Sequence, residues 1–226
     1  MGSVGSGYTK FKDKPSLWGR SFDGDAQDIK DFFRDNTNSY DIIEQVAQDR
    51  KAVQAFGDWA VGWFMDGQQY DGFSNMSLRD QERTRIYDKY LDQSVINKGF
   101  ETRRLASAEL LRGTGNKTIT EEQLKALVGQ DIIAKGNMST ATASQGLGIS
   151  SSRHPIEYVF QFPKGSKGAG MWIGDYRIND EWGHRQREFI TNRDAVYTMK
   201  DYKWNEKRGV WEVTMRYKGK VDHDYS

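Results

Sequence analysis

Gln186-Arg187-Glu188-Phe189-Ile190-Thr191 is the stretch on which the reading of this 226-residue chain turns. It alternates and reads as a strand, which puts Gln186 and Glu188 on one face and Arg187 on the other. Alone, an amide two residues before a carboxylate carries little weight. Two upstream segments, in order, give it meaning. Phe100-Glu101-Thr102-Arg103-Arg104 is a strand with arginine, and Met138-Ser139-Thr140-Ala141-Thr142 is a hydroxyl-rich strand start.

Working outward, Ile156-Glu157-Tyr158-Val159-Phe160-Gln161-Phe162 is the clearest strand, with Ile156, Tyr158, Phe160 and Phe162 on one face. Met171-Trp172-Ile173 is another. Val196 to Trp204 and Val210 to Tyr217 flank a five-residue loop, Asn205 to Gly209, and form a hairpin. Before Phe100, residues 25–66 read as helical and are followed by a glycine-containing loop, Gly67 to Gly72. Ile29, Phe32, Phe33, Ile42, Ile43, Val46, Val53 and Phe56 recur at helical spacing, and Trp59, Trp63 and Phe64 continue the pattern. A further helix opens at Ser77 and runs to about Ile96, with Gly99 as its stop. A short helix from Thr120 to Val128 carries a capping-box pattern, Thr120 and Gln123. Helices first and strands afterwards predict an α+β fold. The expected divisions are a flexible or extended segment over 1–24, one domain over 25–217 and a fraying polar tail over 218–226. Within the domain, 25–97 is the helical part and 98–217 the strand core.

Composition narrows the class. There is no cysteine, which excludes disulfides, thiolate catalysis and cysteine-held zinc or iron–sulfur sites. It fits a reducing compartment, so a cytoplasmic setting is expected. A formal net charge of +1 gives no global reason to expect nucleic acid or a membrane as partner. No apolar run approaches the roughly 20 residues that span a bilayer. Met1 to Gly7 lacks the charged and apolar parts of a secretory leader.

The ordered set resembles the mono-ADP-ribosyltransferases of the arginine–serine–glutamate class. That class includes clostridial binary-toxin enzyme components, Rho-modifying exoenzymes and transferase domains carried by bacteriophages. Leu124-x-x-Leu127-Val128-Gly129-x-x-Ile132, then Gly136-x-Met138-Ser139-Thr140, is similar to the family's run into its serine–threonine–serine motif. Phe162 to Ala169 resembles its turn before the next strand, and Gly183 to Thr191 its approach to the glutamate. Roughly residues 60–217 are covered.

The resemblance implies a cleft between two small, mostly antiparallel sheets with the helices packed beside them. It implies NAD as co-substrate without a metal, and a protein as acceptor. The chain would be a monomer or part of a larger assembly, delivered into a host cell. Glu188 would stabilise the ribosyl cation, and Gln186 would face the acceptor. Arg103 would hold the diphosphate or ribose, Ser139 would bond Glu188, and Thr140 would support the strand. Arg104 is the alternative arginine; Arg103 is preferred because it leaves Phe100 and Thr102 together on the opposite, core-side face. Trp182, in the loop from Asp175 to Arg185, would recognise the target protein.

The chemistry is consistent with those roles. Nicotinamide leaves NAD as a neutral ring, so no acid is needed, and the site has to stabilise an oxocarbenium-like sugar. Two positions depart from the family's pattern. Ala141 stands where a serine is usual, and no Phe or Tyr lies between Thr142 and Pro155 to stack on nicotinamide. Two other readings use the same residues: an interaction protein, such as a virion component, that keeps the fold without turnover, and an NAD glycohydrolase that gives the sugar to water.

Overall fold

Four helices lead the chain: α1 (Gln27–Asn36), α2 (Ser39–Gln48), α3 (Arg50–Ala60) and α4 (Leu78–Leu91). The computed structural model describes residues 7–14, 27–60, 72–113, 115–146, 155–174 and 187–226. Each helix forms because its apolar residues fall on one stripe and are buried there: Ile29 and Phe33, Ile42 and Val46, Ala52 and Phe56, Tyr87 and Leu91. Ser77 caps α4, its hydroxyl accepting the Asp80 N–H at 3.1 Å. The helix ends at Leu91, short of the expected Ile96. Val95 and Ile96 turn extended and bridge to Lys167 and Thr37, as suits β-branched residues. Gly99 therefore stops nothing. A Cβ there would meet the Gly7 carbonyl oxygen at 2.9 Å and that of Phe162 at 3.2 Å, so glycine permits a close backbone approach.

Among the described residues, the remainder supplies two short helices and eight strands. The helices are α5 (Glu109–Arg112) and α6 (Glu121–Leu127); the predicted capping box at Thr120 and Gln123 is present on the latter. The strands are β1 (Phe100–Ala106), β2 (Asp131–Ala134), β3 (Met138–Ala141), β4 (Ile156–Phe162), β5 (Gly170–Trp172), β6 (Glu188–Thr191), β7 (Ala195–Asn205) and β8 (Val210–Lys220). Their order is β2-β7-β8-β4-β1-β3-β6-β5, antiparallel except for β4 beside β8. The class is α+β, as expected. The two expected sheets are two blocks of this order, joined between β1 and β3 by one register pair, Arg103 with Ala141.

An aromatic core lies beneath one face. Phe33 stacks on Trp172 with centroids 5.2 Å apart, and Phe100 and Phe162 close around Phe189. Rings of this size contribute on the order of 2–3 kcal/mol each when fully buried. On the other face of β5 and β6, Met171, Ile173 and Ile190 pack against Ile42, Phe56 and Tyr87 from α2, α3 and α4. The helical layer is thus seated over the start of β6.

The first residues, read as flexible or extended, are extended where described: Thr9 bridges to Phe100 and exchanges backbone bonds with Gly99 and Glu101, and Phe11 packs on Phe32 and Phe33. The tail read as fraying is docked instead. Val221 donates to the Asp194 carbonyl, Tyr225 donates to Asp88 at 2.8 Å, and His223 lies 3.0 Å from Asp92 and 3.2 Å from Asp194. Burial alone would lower the His223 pKa. Hydrogen bonds to Asp194 and Asp92, with the charges of Asp88 and Asp92, outweigh it and push the imidazolium up to about 9.

A pKa raised on folding stabilises the native state fully below the unfolded value of 6.5 and ceases to do so as pH climbs through about 9. Across that window the structure should lose on the order of 3 kcal/mol. Thermal unfolding at pH 6, 8 and 10 checks this. His223→Gln should flatten the profile, and an unchanged slope in that variant would show that other groups carry it.

Candidate active site

Strand period and register decide which of the singled-out side chains can meet. Arg103 pairs with Ala141 on β3, and Ala141 pairs with Glu188 on β6. Residues directly opposite on paired strands share a face, so the three form one row. Two strand spacings separate Arg103 from Glu188, roughly 10 Å between backbones. Ala141, the small residue between them, is buried. Ser139 lies on the same face, in register with Ile190, and is half-buried. Thr140 faces the other way and its hydroxyl donates to the Phe189 carbonyl at 2.8 Å, tying β3 to β6. Alternation separates the two arginines. Arg104 lies on the opposite face, and its guanidinium donates to the Ser139 carbonyl at 2.6 Å.

Glu188 is 3% exposed and begins its strand. The residue before it departs from the expected alternation. Arg187 is a turn residue at φ 48, a left-handed conformation that costs a side-chain-bearing residue energy and persists only when held from outside. Two sets of contacts hold it. The Thr142 N–H and hydroxyl donate to its carbonyl at 3.0 and 2.7 Å, and its buried guanidinium is bound by Asp13 of the N-terminal segment. The Asp13 carbonyl also accepts from the Ser144 N–H at 2.9 Å. One segment therefore fastens the ends of the hydroxyl-rich strand and of the glutamate strand. Gln186 and Trp182 lie outside the described residues.

Arg103 is anchored by carboxylates. Its Nη1 donates to Glu157 at 3.0 Å and lies 3.9 Å from Glu212. Glu157, 1% exposed, also accepts from Arg208 and from the Gly146 N–H at 2.6 Å. Burial opposes ionisation of Glu212, but bonds from Asn205 and Lys203 and the charges of Lys203 and Arg103 hold its carboxyl below the usual range. Both Arg103 contacts run through Nη1, which leaves Nε and Nη2 for another partner. Beside it is a cavity of about 350 Å³ lined by Lys10, Phe11, Lys12, Lys14, Glu101 and Arg103, with Ala143 and Ser144 at its edge. Lys10 lies 3.9 Å from Glu101 and Arg103 is paired with Glu157, so the excess charge of the lining comes from Lys12 and Lys14, which suits an anion.

The helical layer adds residues that sequence reasoning passed over. Burial, then the charges of Asp58, Asp80 and Glu188, push the Tyr87 phenol up, against the opposing charge of Arg83. Tyr87 of α4 therefore feels the Glu188 carboxylate. Arg83, one turn before it, is buried against Asp58 of α3 and donates to Asp80 at 2.9 Å, while Arg79 reaches Asp58 at 3.2 Å. Arg79, Arg83 and Tyr87 follow each other at i, i+4 and i+8, one face of a helix. That spacing was the available signal. Asp13 and Glu157 gave none, because their partners are distant in the chain. Among the described residues no cluster of His, Asp and Glu has the arrangement of a metal site, and no helix is long and apolar enough to cross a membrane.

No protein-family model matches the chain, and no curated protein sequence does. Solved structures do match. C3stau2 from S. aureus, determined with NAD, is 17% identical over 94% of this chain and 100% of its own, with a TM-score of 0.61. Plx2a, an ADP-ribosyltransferase toxin from Paenibacillus larvae, is 15% identical over 85% and 96%, with a TM-score of 0.65. BECa, an ADP-ribosylating toxin of a C. perfringens binary enterotoxin determined with NADH, is 14% identical over 88% of this chain and 49% of its own, with a TM-score of 0.65. The chain has the fold of ADP-ribosyltransferase toxins; at these identities the likeness is one of fold.

Proposed function

We propose that the protein is an NAD-dependent mono-ADP-ribosyltransferase that modifies another protein. One observation carries the reading. Arg103, Ala141 and Glu188 lie in register on one sheet face, the face on which α2, α3 and α4 pack at β5 and β6, in a fold shared with ADP-ribosylating toxins. The Glu188 carboxylate accepts a ribose hydroxyl and faces the positive charge that develops on the sugar. The free edge of Arg103, with Lys10, Lys12 and Lys14, neutralises the diphosphate. The bond between the sugar carbon and the pyridinium nitrogen breaks with its electron pair going to nitrogen. The acceptor's nucleophile bonds to that carbon and releases its proton. Ser139 steadies Glu188 and Thr140 the strand beneath it, while Gln186 faces the acceptor and Trp182 helps to recognise it. A neutral amide at 186 argues against an arginine acceptor. As a toxin the protein would act inside a host cell.

Incubation with labelled NAD and a host-cell lysate tests this. Label on discrete proteins supports transfer, whereas free ADP-ribose with no labelled protein points to a glycohydrolase. A fold retained without turnover is favoured by one observation, the commitment of Arg103 Nη1 to Glu157. Calorimetry decides that case, since no heat of NAD binding at millimolar concentration would remove the enzymatic reading.

A further inference from the structure

Far along the sheet from Glu188, the hairpin of β7 and β8 builds a second concave surface. A groove of about 790 Å³ is lined by Glu121, Asp201, Tyr202, Lys203, Trp204 and Trp211. Five strand spacings lie between β7 and β6 in the sheet order, roughly 24 Å, so this groove is separate from the row holding Glu188. Its wall is a continuous set of rings. Trp204 meets Trp211 edge to face at 5.1 Å, and Trp211 meets Tyr202 in the same way at 5.7 Å. Tyr202 and Trp211 also pack against the core, which fixes them, whereas Trp204 is 48% exposed. A single exposed ring needs no explanation; three joined rings opening on one groove do.

Charge then decides what the groove suits. Trp204 is in register with Trp211, and Lys203 with Glu212, so the rings share one face of the hairpin and Lys203 lies on the other, as does Asp201 two residues before it. The Lys203 ammonium pairs with Glu212 at 3.0 Å. The groove's remaining lining charges are Glu121, exposed at the start of α6, and Asp201, whose Oδ1 accepts the Tyr202 N–H at 2.8 Å. Ring faces carry negative potential, and two carboxylates reinforce it. An anion is repelled, and a neutral group leaves both carboxylates uncompensated.

We propose that this groove binds a cationic side chain, arginine or lysine, presented by a protein partner. The groove is open rather than enclosing and too wide to surround a lone ammonium, so the cation arrives on a chain that covers the rest. The proposal stands independently of the transferase reading. Should that reading hold, the groove becomes a second contact for the acceptor protein, distant from the reacting sugar.

The test is a titration of the full chain, with its tryptophan indoles labelled with nitrogen-15, by a blocked Gly-Arg-Gly peptide. A control peptide carries citrulline, the neutral isostere, in place of arginine. The indole signals of Trp204 and Trp211 should shift with the arginine peptide, with a Kd in the millimolar range. The citrulline peptide should leave them in place. Trp204→Ala and Glu121→Gln, both at exposed positions, should each weaken binding by about 3- to 30-fold, and added salt should weaken it further. Equal shifts from both peptides overturn the proposal. So does the absence of any shift, or a shift produced by a neutral disaccharide and not by the arginine peptide.

Discussion

Glu188→Gln should lower NAD-dependent labelling by about 10²–10³-fold while leaving the fold and NAD binding largely intact. The substitution keeps shape and removes one negative charge, and the residue is 3% exposed at the start of a strand held on both sides by β3 and β5. The fold should hold, because the isosteric amide keeps the shape of the buried side chain. NAD should still bind, since its diphosphate is assigned to Arg103 and the lysines, roughly 10 Å across the row. What disappears is the charge facing the sugar as the pyridinium departs, an interaction strongest in the transition state. Single-turnover kinetics with labelled NAD, beside calorimetric NAD binding, separate the two quantities. Turnover in the variant within threefold of the native protein would remove Glu188 from the mechanism. Loss of binding together with turnover would instead assign it to the ground state.

The elements that place Glu188 were readable because they depend on neighbours in sequence. Period two in Phe100 to Arg104 set Arg103 apart from Phe100 and Thr102, and the register with Ala141 puts that same arginine on the face of Glu188. The capping box at Thr120 was readable for the same reason. What was not readable depends on residues brought together only by folding. Arg187 alternates in sequence, yet Asp13, 174 positions away, helps hold it at positive φ and breaks the period before Glu188. Glu157 reads as one of two polar residues, with Gln161, in an otherwise apolar strand. It becomes the anchor of Arg103 and Arg208 only because β4 lies between β1 and β8. The tail looked solvated because Asp222, His223 and Asp224 are polar. His223 is buried because Asp88, Asp92 and Asp194 await it.

That last cluster carries the largest expected effect on stability, through Arg193. Its side chain is 4% exposed and grips Asp88 with Nε and Nη2, each 2.9 Å from a carboxylate oxygen. It also lies 2.9 Å from Asp194, donates to the Asp224 carbonyl at 3.0 Å and stacks over Tyr225 at 4.9 Å. Burial works against its charge, but the bond and charge of Asp88 and the charge of Asp194 outweigh it and raise its pKa further. Arg193→Met keeps the length of the stem and removes the charge, taking from Asp88, in the last turn of α4, its bidentate partner. Breaking a buried pair in this way costs about 3–5 kcal/mol, and in a chain of this size each kcal/mol lowers the melting temperature by about 2–4 °C. Because α4 also carries Tyr87, which lies within electrostatic reach of Glu188, NAD binding should weaken along with stability. Adding Asp88→Leu to Arg193→Met should recover part of the loss, since it removes the carboxylate left without its guanidinium, while Asp194 keeps His223. A melting temperature for Arg193→Met within 3 °C of the native value would mean that His223 and Lys220 can neutralise the cluster without it. A double variant no more stable than the single one would place the loss in packing against Tyr225 and Phe73 rather than in charge.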